Sequence, residues 1–325
     1  MSKVRNNSID VAKGLGIILV VIGHVMSPVM SGHSVIEWLY SVIYTFHMPL
    51  FFFVSGYVAK KLITKPIAKI ELLKQRLIRL MVPYCVWAAI YLPMKIVMAE
   101  HVRFSDEYKW YSFFLGNNPD GQLWFLYVLF VISVFMILFV TKKNITAFTI
   151  LFMIGSFLAP LIPYSIGFTS ITLTFSLYQI GFFFLGTLTA VKLDYNKVTT
   201  NTTAFIVSTV VLIAYSAVLW IQKDDVWFLQ ATVAFCAVYI CLYLSSLIAK
   251  TKAKAPFIYL GKKSMEIYLL HGPLLVAGRI VLPKILHNTY VYILILSIVS
   301  IAISLIISLV INKVKIARLL LFGSK

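Results

Sequence analysis

The chain has 325 residues, 61% of them apolar and only 12% charged, with a mean hydropathy of +0.93. Soluble domains hold roughly half apolar and a quarter charged residues, so this composition excludes a soluble globular protein and defines a polytopic membrane protein. A net charge of +18 would suit nucleic acid, but Lys and Arg gather in the short connections between apolar runs, as cytoplasmic loops do, and nucleic-acid binding is set aside.

At about 20 apolar residues per span, the charges divide the chain into about ten helices, 10–30, 38–59, 80–98, 123–141, 145–163, 171–191, 202–221, 226–248, 264–282 and 289–311. An even number puts both termini on one side. If that side is cytoplasmic, only Lys95, Arg103, Lys109, Lys223, Arg279 and Lys284 of the 29 basic residues fall outside, and the asymmetry orients the chain. The expected fold is an all-α polytopic membrane protein with cytoplasmic N- and C-termini. Residues 1–325 read as a single integral-membrane domain in the cell membrane, with no soluble domain. Lys3 and Arg5 ahead of the first apolar run imitate a secretion signal, yet the run is long, contains His24 and lacks a small-x-small cleavage site, so it is read as the first span.

That first span is anomalous. Asp10, Lys13 and His24 lie on one stripe of it, because the eleven steps from Lys13 to His24 make three turns and Asp10 falls within about 40°. Lys13 is at one membrane surface and His24 on the order of 16 Å deeper, inside the hydrocarbon. Titratable groups at such depth face a protein interior or a wet cavity and mark a functional site. In span two, His47 precedes Pro49 by two residues, and its depth from the outer side matches that of His24 within about a turn. Ser55 and Gly56 further along permit close helix approach.

The connection over residues 60–84 is basic and mixed. Pro66 suits a helix start, and the pattern reads either as a helix resting on lipid headgroups or as Arg76 and Arg79, three apart on one face, gripping phosphate. The outer connection, 99–122, is acidic and aromatic, with Trp110 and Asp120, and leads to Trp124. It reads as an interfacial aromatic belt or as a carbohydrate platform. The lysines of 251–263 fit cytoplasmic flanking. In span nine, Glu266 follows a Ser264 cap, His271 precedes Pro273 as His47 precedes Pro49, and Arg279 near the outer end suits snorkelling. His271, about 10 Å from the cytoplasmic end, is expected on the donor side. A proline inside a helix frees a carbonyl, which membranes tolerate where protein or a cavity surrounds it. Cys85, Cys236 and Cys241 lie in apolar runs without metal-ligand spacing and are expected to be buried, and no metal site is expected.

Four motifs carry a family resemblance: the Lys13-to-His24 spacing, FHMPLFFFVSGY at 46–57, QRLIRLMVPY at 75–84 and GQLWFLY at 121–127. With SMEIYLLHGPLL at 264–275 they make the chain resemble the integral-membrane acyltransferase family 3, within it the fucose 4-O-acetylase-like bacterial O-acetyltransferases. Lysine stands at residue 13 where many relatives have arginine. The resemblance implies ten spans and transfer of an acetyl or other short acyl group from cytoplasmic acyl-CoA to a hydroxyl of a cell-surface glycan or its lipid-linked precursor. Acyl-CoA would be a co-substrate, with no permanently bound cofactor. Catalytic candidates are His24, Asp10 and His47; acyl-CoA-binding candidates are Lys13, Arg76, Arg79 and His271; acceptor-binding candidates are Glu37, Trp110, Asp120 and Trp124. Residue chemistry agrees: an imidazole titrates where a general base should, and cations meet the donor phosphates. Direct transfer with His24 as base competes with an acyl-histidine relay. A transporter or flippase of a lipid-linked saccharide is the alternative function, since buried charges also line translocation paths.

Overall fold

A computed structural model describes residues 6–97, 122–159, 170–222 and 229–324. Its helices run α1 Asn7–Met26, α2 Ser34–Ala59, α3 Lys61–Thr64, α4 Lys69–Arg76, a π-helical turn Leu77–Met81, and α5 Val82–Val97. They continue with α6 Trp124–Phe139, α7 Ile145–Leu158, α8 Ser170–Lys192, α9 Tyr195–Thr199, α10 Thr202–Gln222 and α11 Gln230–Ile248. The last are α12 Lys254–Lys262, α13 Ser264–Val281, α14 Thr289–Ile311 and α15 Lys315–Phe322. Among the described residues there is no strand.

A helix stands at each expected span, and among the described residues six are long and apolar enough to cross a membrane: Asn7–Met26, Ser34–Thr64, Thr202–Gln222, Gln230–Ile248, Ser264–Lys284 and Thr289–Ile311. Trp124–Phe139, Ile145–Leu158 and Leu177–Lys192 are apolar but shorter. The protein is thus an all-helical membrane protein in its described residues.

α1 is the central element. Asn6 caps it, its side chain accepting from the Ser8 N–H at 3.0 Å, and α2, α11, α12, α13 and α14 surround it. Backbones meet where side chains are missing: Gly14 lies on the Phe257 carbonyl and Gly261 on that of Asp10, so α12 presses onto the start of α1. Gly56 lies on Phe183 and Gly186 on Phe53, which lets α2 and α8 cross closely, as small residues do in membranes. The close-approach reading of Gly56 therefore holds, while Ser55 lines a cavity. α10 packs against α11 and α2, and the Trp38 indole N–H of α2 donates to its Ser216 carbonyl at 2.8 Å.

Several local expectations need correction. Residues 60–84 are not one interfacial helix: Lys65, forced extended by the proline after it (φ −94°, ψ 140°), ends α3, and α4 starts at Lys69 rather than at Pro66. Neither Pro49 nor Pro273 breaks its helix. The carbonyl that Pro273 orphans, that of Leu269, is taken by the Tyr91 hydroxyl at 2.9 Å. α13 begins at Ser264 with Lys263 in the cap position and no side-chain cap. Glu266 does sit in its first turn, and it accepts from Lys263 Nζ at 3.0 Å. Cys85 is exposed, because it faces away from the bundle, whereas Cys241 is buried.

Candidate active site

The site has two ends joined along α1. At the first, Asp10 is 2% exposed and lies 4.0 Å from Lys13 Nζ. Lys13 also lines a cavity of about 130 Å³ together with Arg76 and Arg79. Arg76 closes α4, and Arg79 belongs to the π turn that follows, so the spacing of three is accommodated by a locally widened helix of the kind that recurs at functional positions. Among the described residues neither guanidinium has a carboxylate partner. Burial, with the like charge of Arg79 added, pushes Arg76 down to about 10, which leaves it cationic at neutral pH. Three cations thus converge on one opening. Arg79 is exposed and Lys13 half-buried, so the opening is wet.

Inward the cavity becomes apolar. Val20, Met48, Phe51, Phe125 and Leu129 wall it, with Met265 and Tyr268 from α13. It approaches the second end without reaching it, since Val20 is one turn, about 6 Å, short of His24.

There the histidines meet. His24 and His271 have ring centroids 5.2 Å apart, and Tyr44 lies between His24 at 6.2 Å and His47 at 4.6 Å. His24 keeps part of its surface exposed, while His47 and His271 are 4% and 0% exposed. His47 donates from Nδ1 to the Ile43 carbonyl at 2.9 Å, and His271 from Nδ1 to the carbonyls of Tyr268 at 2.7 Å and Ile267 at 3.1 Å. Each ring therefore turns Nε2 outward from its own helix as the acceptor nitrogen. Nε2 of His271 is buried with no hydrogen-bond partner. The arrangement can accept a proton from a group placed among the three rings.

Some candidates move. Asp10 and His24 share a helix face but are fourteen residues, about 21 Å, apart, so Asp10 acts on Lys13 and not on the imidazole. His271 meets His24, although α13 begins beside the cavity that Lys13, Arg76 and Arg79 line. Arg279 does not snorkel: it turns inward and donates from Nη2 to the His24 carbonyl at 3.0 Å, satisfying a last-turn carbonyl of α1. Glu37 is half-buried in the first turn of α2, on the face that carries Tyr40, Tyr44 and His47. Trp124 stacks on Phe52 at 5.9 Å and 25°, as part of the packing between α2 and α6. Trp110 and Asp120 lie outside the described residues.

The sequence reading passed over Tyr40 and Tyr44, stacked at 3.9 Å, although their spacing to Glu37 and His47 places all four on one helix face. It also passed over Tyr268, which lines the cavity, lies 6.1 Å from His271 and donates its hydroxyl to the Gln122 carbonyl. Among the described residues no cluster of His, Cys, Asp and Glu is arranged to hold a metal ion.

In this helical bundle a cationic opening leads along an apolar channel toward a cluster of imidazoles. Residues 6–309 match the acyltransferase domain family, and the chain belongs to it. It is also similar to the nodulation protein NolL of Sinorhizobium fredii, 34% identical over 100 residues, which cover 30% of this chain and 27% of that protein. The nodulation protein NolL of Mesorhizobium japonicum is 29% identical over 138 residues, 39% of this chain and 34% of that protein. The chain therefore spans about a third or less of these relatives in the matched stretches. No solved structure matches it.

Proposed function

We propose that the protein is an O-acyltransferase of the cell membrane that moves an acetyl or other short acyl group from cytoplasmic acyl-CoA to a hydroxyl of a cell-surface glycan or its lipid-linked precursor. On this reading the ten helices are ten spans, both termini are cytoplasmic, and residues 1–325 act as one domain. The observation that carries it is the shared cavity of Lys13, Arg76 and Arg79, whose apolar wall runs to within one turn of His24. Donor phosphates pair with the two guanidiniums and the ammonium. The pantetheine arm then follows the wall of Val20, Met48 and Phe51 and delivers the thioester beneath the imidazoles.

The acceptor enters along the Glu37, Tyr40 and Tyr44 face of α2. His24 takes the hydroxyl proton as the acceptor oxygen attacks the thioester carbonyl carbon; the C–S bond breaks, and the proton passes to the departing thiolate. His47 and His271 surround the reacting atoms. Acyl-family membership favours this chemistry over saccharide translocation, which has no use for paired arginines at a cavity mouth. NMR of the surface sugars from cells carrying His24→Ala is the test. Loss of O-acyl groups with normal membrane levels of the protein supports the assignment, and normal acylation overturns it.

A further inference from the structure

The family match ends at residue 309, yet the chain continues into α15, and that helix is docked against the bundle. Phe322 on it is 3% exposed, and the Trp87 indole N–H from α5 donates to the Leu321 carbonyl at 2.8 Å. The helix closes at Gly323, whose φ of 62° is left-handed and whose N–H donates to the Leu319 carbonyl at 2.9 Å. A Cβ at that position would run into the backbone of Arg79. Two requirements thus fall on one residue: the left-handed conformation favours glycine, and the approach to Arg79 leaves no room for a side chain.

The neighbour matters because of where it sits. Arg79 belongs to the π turn Leu77–Met81, and its side chain lines the cationic opening with Arg76 and Lys13. A π turn is a local departure from the regular helix of the kind that recurs at functional positions. From outside its own segment the turn is packed by α6 and by α15, and α15 also contacts α5 and α13.

We propose that α15, through Gly323, is the positioning element of the donor clamp, fixing the π turn so that Arg79 faces the opening beside Arg76. The inference rests on the donor reading of that cavity. A side chain at Gly323 displaces the π turn and carries Arg79 away, while His24 and His47 sit on α1 and α2 and stay in place. The loss belongs to donor binding and not to turnover.

The test uses the full chain in detergent or nanodiscs, with calorimetric binding of CoA and steady-state transfer from labelled acetyl-CoA. Gly323→Val is expected to raise the CoA Kd and the acetyl-CoA KM together by about tenfold, the scale of one charge-assisted contact, with kcat held within about twofold. Trp87→Phe keeps an aromatic ring but removes the N–H together with part of the indole, and should raise both by about threefold. If the wild type binds CoA and the folded variants bind it equally well, or if kcat falls while donor affinity stays, the positioning role is overturned. A wild type that does not bind CoA overturns the donor reading itself and this inference with it. Should Gly323→Val fail to fold, judged by its thermal transition, Trp87→Phe decides by the same criteria.

Discussion

The two ends of α1 solve opposite electrostatic problems. At the Asp10 end the groups are permanent charges, half-buried or exposed, gathered at an opening where water screens them: Lys13, Arg76 and Arg79. At the His24 end, about four turns away, the titratable groups are imidazoles, and two of them are almost fully buried and satisfied through Nδ1 by their own helix carbonyls. A fixed charge at that depth costs several kcal/mol unless its hydrogen bonds are met, as Arg279 there meets the His24 carbonyl. An imidazole can be neutral there and still take a proton in passing. On the proposed function, binding and chemistry are divided between residue types as well as between places: guanidiniums would hold the carrier at the wet end, and imidazoles would handle protons at the drier one.

If that division is right, mutations at the two ends should separate cleanly in the kinetics. The largest effect is expected from His24→Ala, which should lower kcat by about 10²–10⁴-fold while CoA binding, measured calorimetrically, stays at the wild-type level. Next, the double change Arg76→Ala and Arg79→Ala should raise the acetyl-CoA KM by about 10²-fold with kcat changed little, and the paired lysine substitutions should recover only part of it because the fork geometry is lost. A fall in kcat alone from that pair would erase the distinction.

Arg279→Met sharpens the comparison at the inner end. Without the bond to the His24 carbonyl the end of α1 loses its anchor to α13, and kcat should fall by about tenfold at unchanged donor KM. The smallest effect is structural: Tyr91→Phe leaves the Leu269 carbonyl without its partner and should destabilise the protein by about 1 kcal/mol, read as an earlier unfolding transition in detergent, with donor KM unchanged.

Much of this was legible in the sequence because membrane helices obey simple periodicity. The Lys13-to-His24 spacing fixed a common face and a depth on one continuous helix, and nothing in the tertiary structure can alter that. Arg76 and Arg79 were legible as a pair, though not the π turn that carries Arg79, since no residue-type preference marks one. Where inference required knowing how two helices meet, it failed. His271 was placed nearer the donor side by counting from the end of its span, and counting could not show that its ring would meet that of His24. Arg279 near a helix end looks the same whether it snorkels or reaches across to a carbonyl on α1. Gly323 looked like nothing, because its role depends on a backbone 244 positions earlier in the chain.

The central claim is that the pantetheine arm of the donor occupies the channel between the cationic opening and the imidazoles. A photoreactive CoA analogue, with the label on the pantetheine arm, tests it directly by mass spectrometry of the crosslinked protein. The account predicts adducts at Met48, Phe51 and Tyr268 that are suppressed by excess CoA and lost in the Arg76→Ala, Arg79→Ala variant. Labelling confined to outward-facing residues such as Ile213 and Leu294, indifferent to CoA, would contradict it.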